Sequence, residues 1–91
     1  MQFKLEKPFD RKITSIKYRL DVGIENFKKI MDRDAEGEEL LYEWLEAIES
    51  VLHIDYDGHY GPYIFIEVED TRGMDLNFWY QIQHLIDMFI L

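Results

Sequence analysis

Three patterns predict an α+β fold for this 91-residue chain, with about three helices packed against a short antiparallel β-hairpin or sheet. Residues 40–52 carry an apolar stripe at helical spacing. Residues 53–70 hold two strand-like runs around a turn rich in Gly and Tyr. From residue 75 onward the chain is apolar on nearly every side. A chain of this length makes one domain, spanning residues 1–91. So small a domain buries only about 60–65% of its unfolded surface. The six Phe, six Tyr and two Trp compensate, because each large ring buries about 150–250 Å².

The elements follow in chain order. Residues 2–7 alternate, with Phe3 and Leu5 on one side, and read as a short edge strand that Pro8 ends. Residues 11–31 carry two competing periodicities. Ile13, Ile16, Leu20, Ile24, Phe27 and Met31 follow spacings of three and four, which line one face of a helix. Asp10 would cap it, and Lys28, Lys29 and Arg33 would sit at its favourable C-terminal end. Yet Ile16, Tyr18, Leu20, Val22 and Ile24 alternate strictly, as a strand does. Val22 and Gly23 are also poor mid-helix residues. The helical pattern covers more positions, and Glu25 with Lys29 adds an i,i+4 pair. One long helix is therefore expected, with a strand followed by a helix as the alternative.

Residues 34–37 form a turn whose acids suit a helix N-terminus. Leu40, Leu41, Trp44, Leu45, Ile48, Val51 and Leu52 then make a broad apolar stripe, so a helix is expected throughout. Residues 53–70 read as a hairpin. Gly58 and Gly61-Pro62 mark its turn, and residues 63–68 are rich in aromatic and β-branched types. Residues 71–73 break the chain again. Asp75 caps a last helix, with Phe78, Ile82, Leu85, Ile86 and Phe89 on one face. Leu76, Trp79, Tyr80, Met88, Ile90 and Leu91 make it apolar nearly all round, the mark of a central helix or one buried against a second chain.

Composition narrows the function. There is no Cys, which removes disulfide scaffolds and Cys-based zinc sites. The formal net charge of −9 disfavours direct binding of nucleic acid, whose phosphates require Lys and Arg. That charge is unevenly distributed. Nine Lys and Arg and five acids lie in residues 1–33, against one Arg and fourteen acids in residues 34–91. The N-terminus lacks an uninterrupted apolar stretch of the secretory type. Residues 76–91 fall short of the about 20 apolar residues a membrane span needs. A cytoplasmic protein is expected, with no cofactor and no membrane partner.

Four groups of residues could carry function. Glu39, Glu43, Glu46 and Glu49 fall at spacings of four, three and three along the predicted second helix, with Glu36 before them and Asp55 and Asp57 after. Neighbours in such a row lie about 5–6 Å apart along the axis, comparable to successive phosphates of a nucleic-acid strand. No Lys interleaves them, although like charges at this spacing repel. The bland reading is a solvated face, and the sharper one a surface for a basic partner. The turn segment 55–63 adds three tyrosines, of which Tyr60 is expected to be exposed while Tyr56 and Tyr63 pack in the hairpin. Tyr is a frequent interface anchor. His53, Asp55, Asp57 and His59 alternate and could share a metal, but Gly58 bends the run, and no metal site is expected. No hydroxyl residue stands in a nucleophile-elbow or phosphate-cradling context, so no enzyme is expected.

The expected function is that of a small acidic inhibitor, which binds a basic nuclease or other nucleic-acid-binding protein through Glu36, Glu39, Glu43, Glu46, Glu49, Asp55, Asp57 and Tyr60. In size and charge pattern the chain is similar to phage anti-CRISPR and anti-restriction proteins, and to immunity proteins of nuclease bacteriocins. That similarity is one of type and transfers no site residues. The alternative is a homodimeric structural or adaptor protein, self-associating through Trp79, Tyr80, Met88 and Leu91, with the acidic face only solubilising.

Overall fold

The chain builds a four-stranded antiparallel sheet with three helices, in the order β1 Lys4–Arg11, β2 Ser15–Asp21, α1 Ile24–Ala35, α2 Leu41–Glu46, β3 Val51–Asp57, β4 Tyr63–Glu69 and α3 Leu76–Ile90. The computed structural model describes residues 4–11, 14–35, 40–69 and 75–91, the first of these segments by its backbone. The strand order is β1-β2-β4-β3. An α+β fold is thus present, with a wider sheet than a single hairpin.

The long helix expected over residues 11–31 gives way to the alternative, a strand over Ser15–Asp21 followed by a helix from Ile24. Ile16, Tyr18, Leu20 and Val22 are buried, while Lys17, Arg19 and Asp21 alternate with them. Pairing decides the contest. β2 is flanked on both sides, by β1 and β4, so its backbone gains two ladders while its apolar side enters the core. Gly23 then turns the chain at φ +84°, a left-handed conformation that favours glycine. The Asp21 carboxylate accepts the Gly23 N–H at 3.0 Å, and the Gly23 carbonyl accepts the Phe27 N–H at 2.9 Å, opening α1. Of the expected stripe, Ile24 is left exposed, and Ile30 is the buried residue of α1.

Pro8 does not end the first strand. β1 continues to Arg11 with register shifts on either side of Pro8, which an edge strand tolerates because one row of its N–H groups has no partner strand. Asp10 lies within that strand, opposite Lys17, and caps no helix.

The second helix is shorter than the stripe suggests. α2 ends at Glu46, and Val51 and Leu52 belong to β3. Leu40 gives α2 no side-chain cap, and among the described residues its acids have no Lys or Arg to offset them. Ser50 adopts φ 76°, and its carbonyl accepts the Glu69 N–H at 3.0 Å, the first link to the sheet. Val51 then pairs with Val68. Sheet pairing outweighs two further helical turns. The hairpin of β3 and β4 forms as expected.

All three helices pack on one face of the sheet. Ile16, Tyr18, Leu20, Ile54, Ile64, Ile66 and Val68 meet Ile30, Leu41, Leu45 and five residues of α3 in a single core. α3 is its spine. Asp75 caps it by accepting the Asn77 N–H at 2.9 Å, and Phe78, Trp79, Ile82, Ile86 and Phe89 are buried. Trp79 meets Tyr18 edge to face at 5.0 Å, and Trp44 meets Phe89 at 5.2 Å. Arg33 lies over the Phe89 ring at 5.0 Å and ties the end of α1 to α3. Among the described residues no helix is long and apolar enough to cross a membrane.

Candidate binding surface

The strand order sorts charge in space. β1 and β2 lie together on one side of the sheet and β4 and β3 on the other. Every described Lys and Arg belongs to β1, β2 or α1, and none to α2, β3, β4 or α3. The cation-bearing strands therefore lie on one side of the sheet, while α2, β3, β4 and α3 hold only acids and His among the described charged residues; α1 brings Lys28 to the β3–β4 turn and Arg33 to α3.

On the acidic half, Leu41 and Leu45 turn one side of α2 into the core, which leaves Glu43 and Glu46 exposed on the other. Glu49 is also exposed, in the turn after α2. Among the described residues these three carboxylates have no Lys or Arg partner. Glu36 and Glu39 lie outside the described residues. The regular row of four carboxylates on one helix is therefore not formed. Glu43 and Glu46 share α2, while Glu49 lies beyond its end. Asp55 is exposed on β3, 3.7 Å from His53 Nε2. It sits on the sheet face opposite the buried Ile54, and so away from α2.

Asp57 has a structural task. Its Oδ1 accepts the N–H groups of His59 at 2.9 Å and Tyr60 at 3.2 Å, so it holds the β3–β4 turn. The Val22 N–H donates to the Pro62 carbonyl at 3.1 Å and fixes that turn to the end of β2. Close approach fixes it further. A Cβ on Gly58 would come within 2.9 Å of the Phe27 ring, and one on Gly61 within 2.6 Å of the Tyr63 ring. Such a braced turn presents Tyr60 at 81% exposure, its ring edge to face with His59 at 4.7 Å. Tyr56 packs against Phe27, and Tyr63 lies under the Arg19 guanidinium at 4.5 Å, so both serve the fold.

The turn and α1 enclose a groove of about 520 Å³, with Ile24, Phe27 and Met31 on one side and Tyr60 and Pro62 on the other. Lys28, Asp32 and His59 also line it. This groove is not legible in the sequence, where Ile24 and Phe27 fall on one helical stripe with the pattern of a buried face. The strand alternation carried no signal for it either, since it sets Ile24 on the same face as Val22; the turn at Gly23, φ +84°, is what leaves Ile24 exposed.

Asp34 joins the end of α1 to the start of α2 by accepting the Leu41 N–H at 3.3 Å. Burial pushes its carboxyl above the ordinary value, although the Leu41 N–H and the Tyr56 hydroxyl pull it down. The Tyr56 hydroxyl is buried outside ordinary hydrogen-bond geometry. Burial, then the Asp34 charge, push that phenol strongly upward. Among the described residues no group of three or more His, Asp and Glu is placed to hold a metal ion. That includes the alternating residues His53, Asp55, Asp57 and His59.

Of the four residues expected at a self-association face, Trp79 is only 6% exposed and belongs to the core of its own chain. Tyr80, Met88 and Leu91 are on the surface, at 64%, 49% and 93% exposure. No protein-family model, curated protein or solved structure matches this chain.

Proposed function

We propose that the protein is a small acidic inhibitor acting in the cytoplasm, which docks on a basic nucleic-acid-binding protein and competes with the nucleic acid for that surface. The observation that carries this reading is the set of exposed carboxylates Glu43, Glu46 and Glu49, which have no Lys or Arg partner among the described residues. Three unscreened acids on α2 and its turn cost the free protein mutual repulsion. A cationic partner relieves that repulsion, steers the encounter and makes binding sensitive to salt. Asp55 extends the field to the outer face of β3. Tyr60 and the adjoining groove supply what charge alone lacks, a rigid aromatic anchor beside an apolar recess. Recognition rests on charge density and this anchor, since the carboxylates do not keep the even spacing of a phosphate ladder.

The test is capture from host or phage-infected lysate with the tagged protein, alongside the triple variant Glu43→Lys, Glu46→Lys, Glu49→Lys. The expected result is a nucleic-acid-binding protein retained by the wild type at about 150 mM salt, displaced by added nucleic acid and not retained by the folded triple variant. Retention of the same protein by the triple variant would overturn the reading.

A further inference from the structure

The exposed side of α3 carries Leu76, Tyr80, His84 and Met88 at successive i,i+4 positions. Leu91 follows at the end of the helix. Leu76 is 68% exposed, Tyr80 64%, Met88 49% and Leu91 93%. The core does not need these side chains, because Phe78, Trp79, Ile82, Ile86 and Phe89 fill the opposite side. Together they leave on the order of 400–500 Å² of largely apolar surface uncovered, the size of the largest patch on a typical monomer, which is often functional.

We infer that this stripe is where a second copy of the chain docks, with the two α3 helices antiparallel about a two-fold axis at His84. The sequence is self-complementary in that arrangement. Tyr80 meets Met88 of the second copy and Met88 meets its Tyr80, a sulfur–aromatic pairing on each side of the axis. His84 meets His84, and Asn77 falls opposite Leu91. Rows at i±4 are also the ridges by which two helices most often interlock.

Charge points to the same face. Two chains of net charge −9 repel each other, which favours contact between like faces where their acids are sparse. α3 holds one acid, Asp87, and no Lys or Arg. Two fully covered stripes bury about 800–1,000 Å² in total, at or just under the lower bound of a specific interface, so the pair is weak and in exchange with monomer. Because the repulsion is screened by salt, dimerisation strengthens as salt rises. The proposed binding to a basic partner weakens under the same change, so either idea can fail while the other stands.

The experiment is sedimentation equilibrium of the wild type from tens of micromolar to millimolar, at low and high salt, with an amide NMR dilution series. The mass is expected to climb from 11.1 kDa toward twice that value, more readily at high salt, with concentration-dependent shifts centred on residues 76–91. Tyr80→Glu and Met88→Glu each abolish the rise, while Leu52→Glu, at an exposed apolar site on β3, leaves it intact. A monomer at every concentration, shifts centred elsewhere, or a dimer indifferent to both α3 variants would overturn the inference. So would a wild type that stays monomeric but binds neutral lipid vesicles through Tyr80 and Met88. The NMR series needs no variant, so a Glu variant that failed to fold would not remove the test.

Discussion

Substituting Gly23 by Ala separates the two readings of the first third of the chain by the sign of its effect. Gly23 stands at φ +84° between β2 and α1. A Cβ there would meet nothing nearer than Asn26 Nδ2 at 4.0 Å, so space is not the obstacle. The cost is conformational, about 1–2 kcal/mol for an L residue in the left-handed region. The stiffer unfolded chain returns about 0.4–1 kcal/mol of this, leaving a net loss of about 1 kcal/mol. In a continuous helix over residues 13–31, the same change would instead add about 0.5–1 kcal/mol. Urea denaturation followed by circular dichroism reads the difference. With a slope of about 1 kcal/mol/M, the midpoint of Gly23→Ala falls by about 1 M. Gly23→Asn, which enters the left-handed region more readily, falls less. A midpoint for Gly23→Ala that is unchanged or raised refutes the turn and the strand before it.

Two further predictions follow, one from a partly buried carboxylate and one from the two sides of α3. The Asp34 carboxyl is held above its ordinary value, so its charged form is less favoured in the folded chain than in the unfolded one. Its contribution to stability is whole below the ordinary carboxylate value and is lost as pH rises through the raised folded value. Asp34→Asn keeps an acceptor for the Leu41 N–H and removes the charge. It is expected to be at least as stable as wild type at about pH 7, with the advantage vanishing near pH 3; lower stability at neutral pH in paired denaturant melts would contradict this. Trp79→Ala opens the core beside Tyr18 and Phe78 and is expected to cost about 3–5 kcal/mol. Tyr80→Ala, measured at concentrations where the chain is monomeric, changes stability by no more than about 0.5 kcal/mol. Equal costs at the two positions would show that α3 is packed on a different face.

How much was legible depended on how local the determining physics is. The β3–β4 hairpin could be read because Gly58 and Gly61-Pro62 mark its turn and because residues 63–68 suit a pleated surface. α3 and its Asp75 cap could be read because a capping carboxylate and a helical stripe act within a few residues. Tyr60 was foreseen as the exposed tyrosine for the same reason: it lies at the tip of a turn. Residues 13–31 and 47–52 could not be settled this way. In each, a helical pattern overlapped a strand pattern, and the winner was set by partners far along the chain: Val68 for Val51, and β4 for β2.

The sequence by itself determined the α+β class, the single apolar core, the exclusion of Cys chemistry and the separation of charge along the chain, since each follows from composition or short-range periodicity. Only the tertiary structure decided what that separation means in space. Because β4 inserts between β2 and β3, the cation-bearing strands and the acidic edge end on opposite sides of one sheet. Sheet pairing also broke the expected row of carboxylates, since Val51 joins a strand instead of a further helical turn. It set Asp57 to hold a turn, through two N–H groups that only the folded loop brings within reach. And it divided an all-apolar helix into a buried side with Trp79 and an open side with Tyr80 and Met88, because a sheet covers one side of a helix and leaves the other to solvent.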